Sequence, residues 1–127
     1  MHIDAKALEN NSLIEGDLCI VGAGAAGIAL ALQFINSPVN VVLLEGGGFQ
    51  YEATLQDLYR GKKVGLPYYA LESTRLHYFG GTTGHWAGYC SEYDAIDFQK
   101  RDWVPDSGWP INQDDLSEYY KKAAGPR

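Results

Sequence analysis

Residues 17–35 read DLCIVGAGAAGIALALQFI, and this stretch decides the fold that the sequence predicts. Its first part, Asp17 to Val21, is a short apolar run, typical of a strand buried on both faces of a parallel sheet. The run leads into Gly22-Ala-Gly-Ala-Ala-Gly27, which fits the pattern G-x-G-x-x-G. A helix is predicted from about Ala25 to Ile35, and Asn36-Ser-Pro38 ends it. The stretch therefore predicts a buried strand, a tight glycine turn and a buried helix, in that order.

The same stretch has to be weighed as a membrane span or a signal peptide, because Leu18 to Ile35 carries few polar residues. Three glycines lie in it, and each costs about 1 kcal/mol in a helix interior. The charged residues before it are four acids, Asp4, Glu9, Glu15 and Asp17, against a single lysine, Lys6, whereas a signal peptide begins with a positive leader. We therefore expect no membrane span. The expected location is the cytoplasm, or the periplasm if a partner that carries a leader exports the chain.

Composition excludes several other classes of protein. The chain has 127 residues, the length of one ordinary domain, and its 16 acidic against 10 basic residues give a formal charge of −6. Such a charge argues against nucleic-acid binding, which needs a basic face that displaces counterions from phosphates. Cys19 and Cys90 are too few for a disulfide framework, and neither they nor the histidines show metal-ligand spacing. No metal site is expected.

A second apolar run, Val41 to Leu44, comes after the helix, and Glu45 stands at its C-terminal end. Strand, glycine turn, helix, strand and acid then occur in the order of a dinucleotide-binding unit. Glu45 lies near the ~20-residue spacing expected for the acid that accepts hydrogen bonds from an adenosine ribose. A carboxylate there would repel a 2′-phosphate, which disfavours NADP. The predicted fold class is thus α/β with a Rossmann-like β-α-β unit, and both FAD and NAD remain possible because they share the ADP half.

Each glycine of the motif has its own expected structural role. Gly22 permits the sharp turn from strand to helix, and Gly24 has no side chain to keep a pyrophosphate away from the backbone. Gly27 lets the helix lie close to the strand, and the helix N-terminus presents N–H groups to the phosphates. The alternative is a plain glycine-rich turn with no ligand.

A second glycine segment begins at Arg75, where residues 75–88 read RLHYFGGTTGHWAG. Its two adjacent glycines and the two threonines after them suit a backbone that passes close to a ligand, with hydroxyls able to hydrogen-bond it. Together with Glu45-Gly-Gly-Gly48, this segment resembles the FAD-binding part of the glucose–methanol–choline (GMC) oxidoreductases. Residues 97–120 are similar to the next part of the chain in that family, particularly in its sugar- and glycoside-oxidising branch. The resemblance covers about Asp17 to Ala123.

The resemblance implies FAD as the cofactor and a set of contact residues from both glycine segments. That set is Gly22, Ala23, Gly24, Ala26, Gly27, Glu45, Gly46, Arg75, Gly80, Gly81, Thr82, Thr83, His85 and Trp86. In some members the histidine at the position of His85 is joined covalently to the flavin 8α-methyl, which makes His85 a candidate for the same bond. The alternative is that His85 hydrogen-bonds the flavin surroundings or merely packs. Trp86 is expected either beside the flavin or adenine ring or in the core.

Two parallel strands do not make a complete sheet, because they leave apolar faces and hydrogen-bonding edges uncovered. The expected organisation is an N-terminal extension over residues 1–16 and an incomplete, loop-rich FAD domain over residues 17–127. Members of the family are much longer, and their catalytic base is a histidine near the C-terminus. No position in this sequence matches that histidine, so no catalytic residue is predicted.

The resemblance then implies the FAD-binding N-terminal portion of an enzyme that passes hydride from an alcohol or a sugar to flavin. This chain alone would be inactive, and it would work with a C-terminal remainder or a partner subunit. One alternative is a non-catalytic, truncated or split flavoprotein fragment. A less favoured alternative is an NAD-binding Rossmann module, which has no need of the second glycine segment.

Near the C-terminus, Asn112 is predicted to cap a helix from Gln113 to about Ala124. Leu116, Tyr119, Tyr120 and Ala123 share one face of that helix, which we expect to be buried. Trp103 and Trp109 lie among prolines and glycines and are expected to anchor a turn-rich loop to the core.

Overall fold

The structure, a computed structural model, describes residues 1–125 and is a small mixed α/β protein with a two-stranded parallel sheet. The chain forms two compact units, one over residues 1–87 and one from Gly88 onward. The sheet lies in the first unit. The second unit consists of helices and turns in the part that the structure describes.

Strands β1 (Leu18–Val21) and β2 (Val41–Leu44) pair in parallel, with Leu18 opposite Val41 and Val21 opposite Leu44. Helix α1 (Ala25–Leu32) connects them. The Gly22 amide donates to the Leu44 carbonyl at 2.7 Å, which extends the pairing one residue beyond β1. The two predicted strands and the helix between them are therefore present, with β1 beginning one residue later than expected.

The prediction that β1 is buried on both faces is wrong. Ile20, with 7% of its surface exposed, is the strand's buried residue, whereas Val21 is 82% exposed. Helix α1 packs on both strands, and a two-stranded sheet with this one covering helix leaves much of its apolar surface in solvent. The continuous apolar pattern identifies a strand suited to burial, but it does not supply the layers that would bury it.

Helix α1 is three residues shorter than predicted, because its last turn tightens. The amides of Gln33, Phe34 and Ile35 each donate to the carbonyl three residues earlier, at 3.1 to 3.3 Å. Such 3₁₀-type bonds satisfy the free carbonyls at a helix end. Asn36 comes next with φ at 65°, in the left-handed region that asparagine tolerates better than most residues. The α-helix thus ends about one turn before the predicted stop at residues 36–38.

The remainder of the first unit is loop-rich, as expected. Its short helices are the 3₁₀ turn Ala5–Ala7, α2 (Ala53–Gln56), the 3₁₀ turn Asp57–Tyr59, α3 (Leu71–Thr74) and the 3₁₀ turn Gly81–Gly84. Gln56 is 3% exposed, and its side chain hydrogen-bonds the backbone of Glu72, Arg75 and His77. It therefore ties α3 and the chain after it to α2.

The second unit contains α4 (Ala95–Phe98) and α5 (Gln113–Ala124), and α5 has the predicted bounds. Asn112 caps α5 as expected, since its Oδ1 accepts from the Asp114 and Asp115 amides at 2.9 and 3.3 Å. Asp115 returns the contact by accepting from the Asn112 amide at 2.9 Å. This reciprocal pair is a capping box, which satisfies donors that a helix start otherwise leaves free.

The expected burial of aromatic residues in the second unit is wrong at three positions. Trp103 is 76% exposed, Trp109 is 60% exposed and Tyr119 is 64% exposed. Trp109 lies beside Tyr93, with 6.4 Å between their ring centroids, but this contact leaves most of the indole in solvent. The tryptophans therefore do not anchor their loop in a buried core.

Within residues 1–125, no helix combines the length and the hydrophobicity needed to cross a membrane. The stretch from Leu18 to Ile35, considered above as a membrane span, is divided among β1, the glycine turn, α1 and the turns after α1.

Candidate functional site

The first glycine motif lies between the end of β1 and the start of α1. Gly22 has φ at +99°, a left-handed conformation that side chains make costly, and it turns the chain out of the strand. Gly24 is the N-cap of α1, and the first helical hydrogen bond joins the Ile28 amide to its carbonyl at 3.0 Å. Within residues 1–125, no side-chain hydrogen bond caps the start of this helix. The amides of its first turn are therefore available to a ligand.

The protein's own packing requires the third glycine of the motif but not the second. A Cβ on Gly27 would overlap the Gly22 carbonyl oxygen and approach Ile20, so glycine is needed for the helix to lie against the strand. A Cβ on Gly24 would have no neighbour within 4 Å, and the φ of Gly24 is −80°, which any residue can adopt. The space beside Gly24 is open for a molecule that approaches the bare backbone.

The Glu45 carboxylate faces the glycine motif. Its Oε2 accepts from the Ala23 amide at 2.7 Å, and its Oε1 accepts from the Gly47 amide at 3.0 Å. An ionised carboxylate has about four lone-pair positions, so each oxygen retains one for another donor. Glu45 is half-buried and lines the same cavity as Gly22 and Gly24. Its free lone pairs can therefore receive two donors from a ligand in that cavity.

The second glycine segment packs directly on the first motif. The Gly80 amide donates to the Ala23 carbonyl at 2.8 Å, and a Cβ on Gly81 would lie 3.4 Å from the Gly24 Cα. Gly80 and Gly81 both have positive φ, at 92° and 58°. The backbone of the buried residue Ala23 thus bonds to Glu45 through its N–H and to Gly80 through its carbonyl. These contacts bring three distant parts of the sequence together.

A cavity of about 670 Å³ opens where these elements meet. Its size falls within the ~300–1,000 Å³ range of small-molecule sites. The residues that line it are Val21, Gly22, Gly24, Ala25, Leu44, Glu45, Gly46, Tyr59, Leu76, His77, Tyr78, Gly81, Thr82 and Thr83.

Half of the predicted site residues line this cavity. They are Gly22, Gly24, Glu45, Gly46, Gly81, Thr82 and Thr83. Ala23 and Gly80 support it from behind through the hydrogen bonds given above, and Gly27 supports it by its contact with Gly22. The Thr82 hydroxyl accepts from the Leu76 amide at 3.3 Å, and the Thr83 hydroxyl donates to the Gly80 carbonyl.

The other four predicted residues neither line the cavity nor support it through the contacts given above. Ala26 is exposed on α1, and the Arg75 guanidinium lies 6.0 Å from the centroid of the Tyr59 ring. His85 comes directly after the 3₁₀ turn Gly81–Gly84 and is exposed, and Trp86 is 49% exposed. A covalent bond between His85 and a flavin stays a prediction, as does a contact from Trp86.

Sequence reasoning missed an aromatic pair in the cavity lining. The rings of Tyr59 and His77 lie 5.1 Å apart, tilted by 32°, and both residues line the cavity. Tyr59 lies after α2 and carries no motif, so no sequence signal identifies it. The position of His77 offered a weak signal, two residues after Arg75, but its neighbours in space come from residues 46–59 and could not be read from the sequence.

The arrangement combines a bare helix start, a carboxylate with free lone pairs and a second glycine segment around one cavity. It can hold an elongated molecule that carries an anionic group and hydroxyl donors. No protein-family model, no curated protein and no solved structure matches this chain. The function is therefore argued from this geometry and from the sequence motifs.

Proposed function

We propose that this chain is the FAD-binding N-terminal portion of a GMC-type oxidoreductase that oxidises an alcohol or a sugar. In this proposal β1, α1 and β2 form a Rossmann-like unit, and the cavity receives the cofactor. The observation that carries the proposal is the placement of the Glu45 carboxylate beside the open glycine motif. Each part of the cavity wall suits a different part of that cofactor.

The Glu45 carboxylate suits the ribose of an ADP group. The two vicinal hydroxyls of a ribose are two donors on neighbouring carbons, and Glu45 retains one free lone pair on each oxygen. A 2′-phosphate would instead place a second anion against this carboxylate, which like-charge repulsion disfavours. The site therefore favours an unphosphorylated ribose.

The start of α1 suits a diphosphate. Gly24 and Ala25 line the cavity, the helix has no side-chain cap, and its first-turn amides carry the positive end of the helix dipole. A Cβ at position 24 would project into open space and fill the place of a phosphate. The residues present thus fit a dinucleotide, with the diphosphate at Gly24 and the ribose at Glu45.

The second glycine segment favours FAD over NAD. Gly81 lies against Gly24, and Thr82 and Thr83 continue the cavity wall from there. In the proposed arrangement they meet the half of the ligand beyond the diphosphate, where FAD carries its flavin. This agrees with the resemblance of residues 75–88 to the flavin-contacting segment of the GMC family.

When bound, FAD supplies a hydride acceptor for the oxidation of a CH–OH group. The residues of this chain would hold the ADP half at Glu45 and Gly24 and orient the other half along Gly81–Thr83. We assign no residue of this chain as the base that removes the hydroxyl proton. The proposal therefore expects the chain to bind the cofactor but not to oxidise alcohols or sugars by itself.

The variant Gly24→Ser tests this proposal by isothermal titration of the whole chain with ADP and with FAD. A serine at an N-cap accepts from the second or third amide of its helix, so it would cap α1 and occupy the proposed phosphate position. We expect ADP and FAD affinity to fall by about tenfold or more. The free energy of unfolding should stay the same or rise, because the new side chain meets no neighbour.

Ala29→Ser is the matched control, since Ala29 lies on the same helix and outside the cavity lining. It should leave both affinities unchanged. Wild-type protein should bind FAD more tightly than ADP if the second segment contacts the flavin half. Failure of the wild type to bind either ligand, or equal affinity of the wild type and Gly24→Ser, would contradict the proposal.

A further inference from the structure

His77 has a defined orientation that leaves one ring nitrogen free. Its Nδ1 lies 3.2 Å from the Leu55 carbonyl oxygen, and its backbone amide donates to Gln56 Oε1 at 3.0 Å. A carbonyl oxygen has no proton to give, so Nδ1 must carry the proton and donate it. In the neutral ring the lone pair then lies on Nε2. The contact with Leu55 therefore makes Nε2 a hydrogen-bond acceptor.

The side chain that fixes His77 is itself well held. Gln56 is 3% exposed, and its amide group donates to the carbonyls of Glu72 and Arg75 at 2.6 and 2.5 Å. With His77 bonded to its Oε1, each polar atom of this amide has a partner. Buried and fully bonded amides are rigid. The position of His77 is thus determined by α2 as well as by its own loop.

Nε2 of His77 lies beside the residue next to Glu45 in the chain. A Cβ on Gly46 would come within 2.6 Å of Nε2, so the imidazole occupies the place that a side chain at position 46 would fill. Within residues 1–125, Nε2 makes no hydrogen bond to the protein, although His77 and Gly46 both line the cavity. An acceptor without a protein partner therefore stands next to the proposed ribose position.

Different residues of the cavity wall contact the helix start and the residue after Glu45. Gly81 lies against Gly24, which places Thr82 and Thr83 on the side of the helix start. His77 lies against Gly46, the residue after Glu45, and the Tyr59 ring is 5.1 Å from the imidazole. In a dinucleotide with its diphosphate at Gly24 and a ribose at Glu45, the base comes next after the ribose, and His77 beside Gly46 is the side chain that we take the base to meet.

We propose that His77 recognises the adenine base, with Nε2 accepting a hydrogen bond from the exocyclic 6-amino group. This inference rests on the proposed function, since it takes Glu45 as the ribose site. Both free lone pairs of Glu45 are then used by the ribose hydroxyls, and the 6-amino group is the donor that the adenine ring itself retains. Hypoxanthine carries a carbonyl oxygen at this place, which the lone pair of Nε2 repels.

The first test compares ligands on the wild-type chain by isothermal titration with ADP, IDP and 2′-deoxy-ADP. We expect ADP to bind about tenfold more tightly than IDP. IDP loses the hydrogen bond from the 6-amino group and places its carbonyl oxygen, a second acceptor, against Nε2. Equal affinity for ADP and IDP would overturn the inference while leaving the proposed function intact. Absence of binding of all three nucleotides would contradict the proposed function itself.

Two variants of His77 then separate the two ring nitrogens. His77→Asn can keep a donor near the Leu55 carbonyl and removes the acceptor at Nε2, so the preference for ADP over IDP should fall to nearly one. His77→Gln can place an amide oxygen near Nε2 and should retain most of that preference, even if its loss of the Leu55 contact lowers stability. Thermal unfolding by circular dichroism verifies that each variant is folded.

Binding of 2′-deoxy-ADP shows which group of the ligand donates a hydrogen bond to Nε2. If His77→Asn reduces the preference for ADP over IDP and leaves the preference for ADP over 2′-deoxy-ADP unchanged, Nε2 meets the base. If it reduces the preference for ADP over 2′-deoxy-ADP instead, Nε2 meets the ribose, and the assignment to adenine is wrong.

Discussion

Gly24 and Gly27 are three positions apart in one motif and are glycines for different physical reasons. The helix cannot lie on β1 with a side chain at Gly27, because the new Cβ would overlap the Gly22 carbonyl. Nothing in the protein prevents a side chain at Gly24, where the surrounding space is open. In the proposal, Gly24 is the place where a ligand meets bare backbone, and this contrast with Gly27 is its main structural support.

Gly27→Ala should destabilise the first unit. The added methyl must displace backbone rather than the end of a flexible side chain, and such overpacking costs about 1–3 kcal/mol. Urea unfolding monitored by far-UV circular dichroism measures this loss. Gly24→Ser is the control in the same motif and should show no loss. An unchanged unfolding midpoint for Gly27→Ala would mean that α1 does not lie as close to β1 as the structure has it.

Part of the site could be predicted from the sequence at the level of single residues. The spacing between Gly22 and Glu45 predicts that the acid meets the glycine turn, and the Ala23 amide does bond to Glu45. The contribution of His77 could not be predicted in this way. Its position depends on a hydrogen bond to the buried Gln56 amide and on the space that Gly46 leaves by having no side chain. Both contacts join segments that are distant in the sequence, and no sequence pattern links these segments.

At the scale of elements, local sequence patterns predicted the bounds of a helix or strand correctly where they indicate both its type and its ends. The bounds of β2 and α5 agree with the sequence because an apolar run and a capping residue mark them. The end of α1 differs because a final turn of 3₁₀ type competes with one more α-helical turn over residues 33–35. Such a competition depends on small energy differences that sequence patterns do not resolve.

The capping box of α5 allows a direct test. Asn112→Ala removes the acceptor for the Asp114 and Asp115 amides and should lower the stability of the helix by about 1 kcal/mol. Amide hydrogen exchange along α5 in the whole chain measures this as faster exchange. Asn112→Asp retains an acceptor at the same place and should exchange at nearly the wild-type rate. Equal exchange in Asn112→Ala and the wild type would show that the cap does not stabilise α5.

At the scale of the whole molecule, the protein exposes more surface than its mass predicts. Its accessible area is 10921 Å², whereas a compact folded chain of this mass exposes about 6,700 Å², and two separate folded units of 87 and 40 residues about 8,000 Å². The buried hydrophobic residues within the described chain are Ile20 and Ala23. Burial could not be predicted from the sequence, because apolar patterns show which side chains favour burial and not what covers them.

This excess surface should be visible in denaturant unfolding. The slope of the unfolding free energy against urea concentration scales with the area that unfolding newly exposes. For this chain that area is about 0.7 of the value for a compact protein of equal length, so the slope should be smaller by the same factor. Urea titration of the isolated chain against a compact reference of similar length tests this. A slope equal to that of the reference would mean that the chain buries more surface than its structure shows.

Residue Ala23 joins Glu45 to Gly80, because its N–H donates to the Glu45 carboxylate and its carbonyl accepts from the Gly80 amide. The two groups lie on successive planar peptide units that meet at the Cα of this buried residue, so its φ and ψ alone set their relative orientation. A nucleotide bound to Glu45 would therefore also restrain the main chain at Gly80 through Ala23, without touching Gly80 itself. Binding of the ribose would in this way help to order the segment that contacts the rest of the ligand.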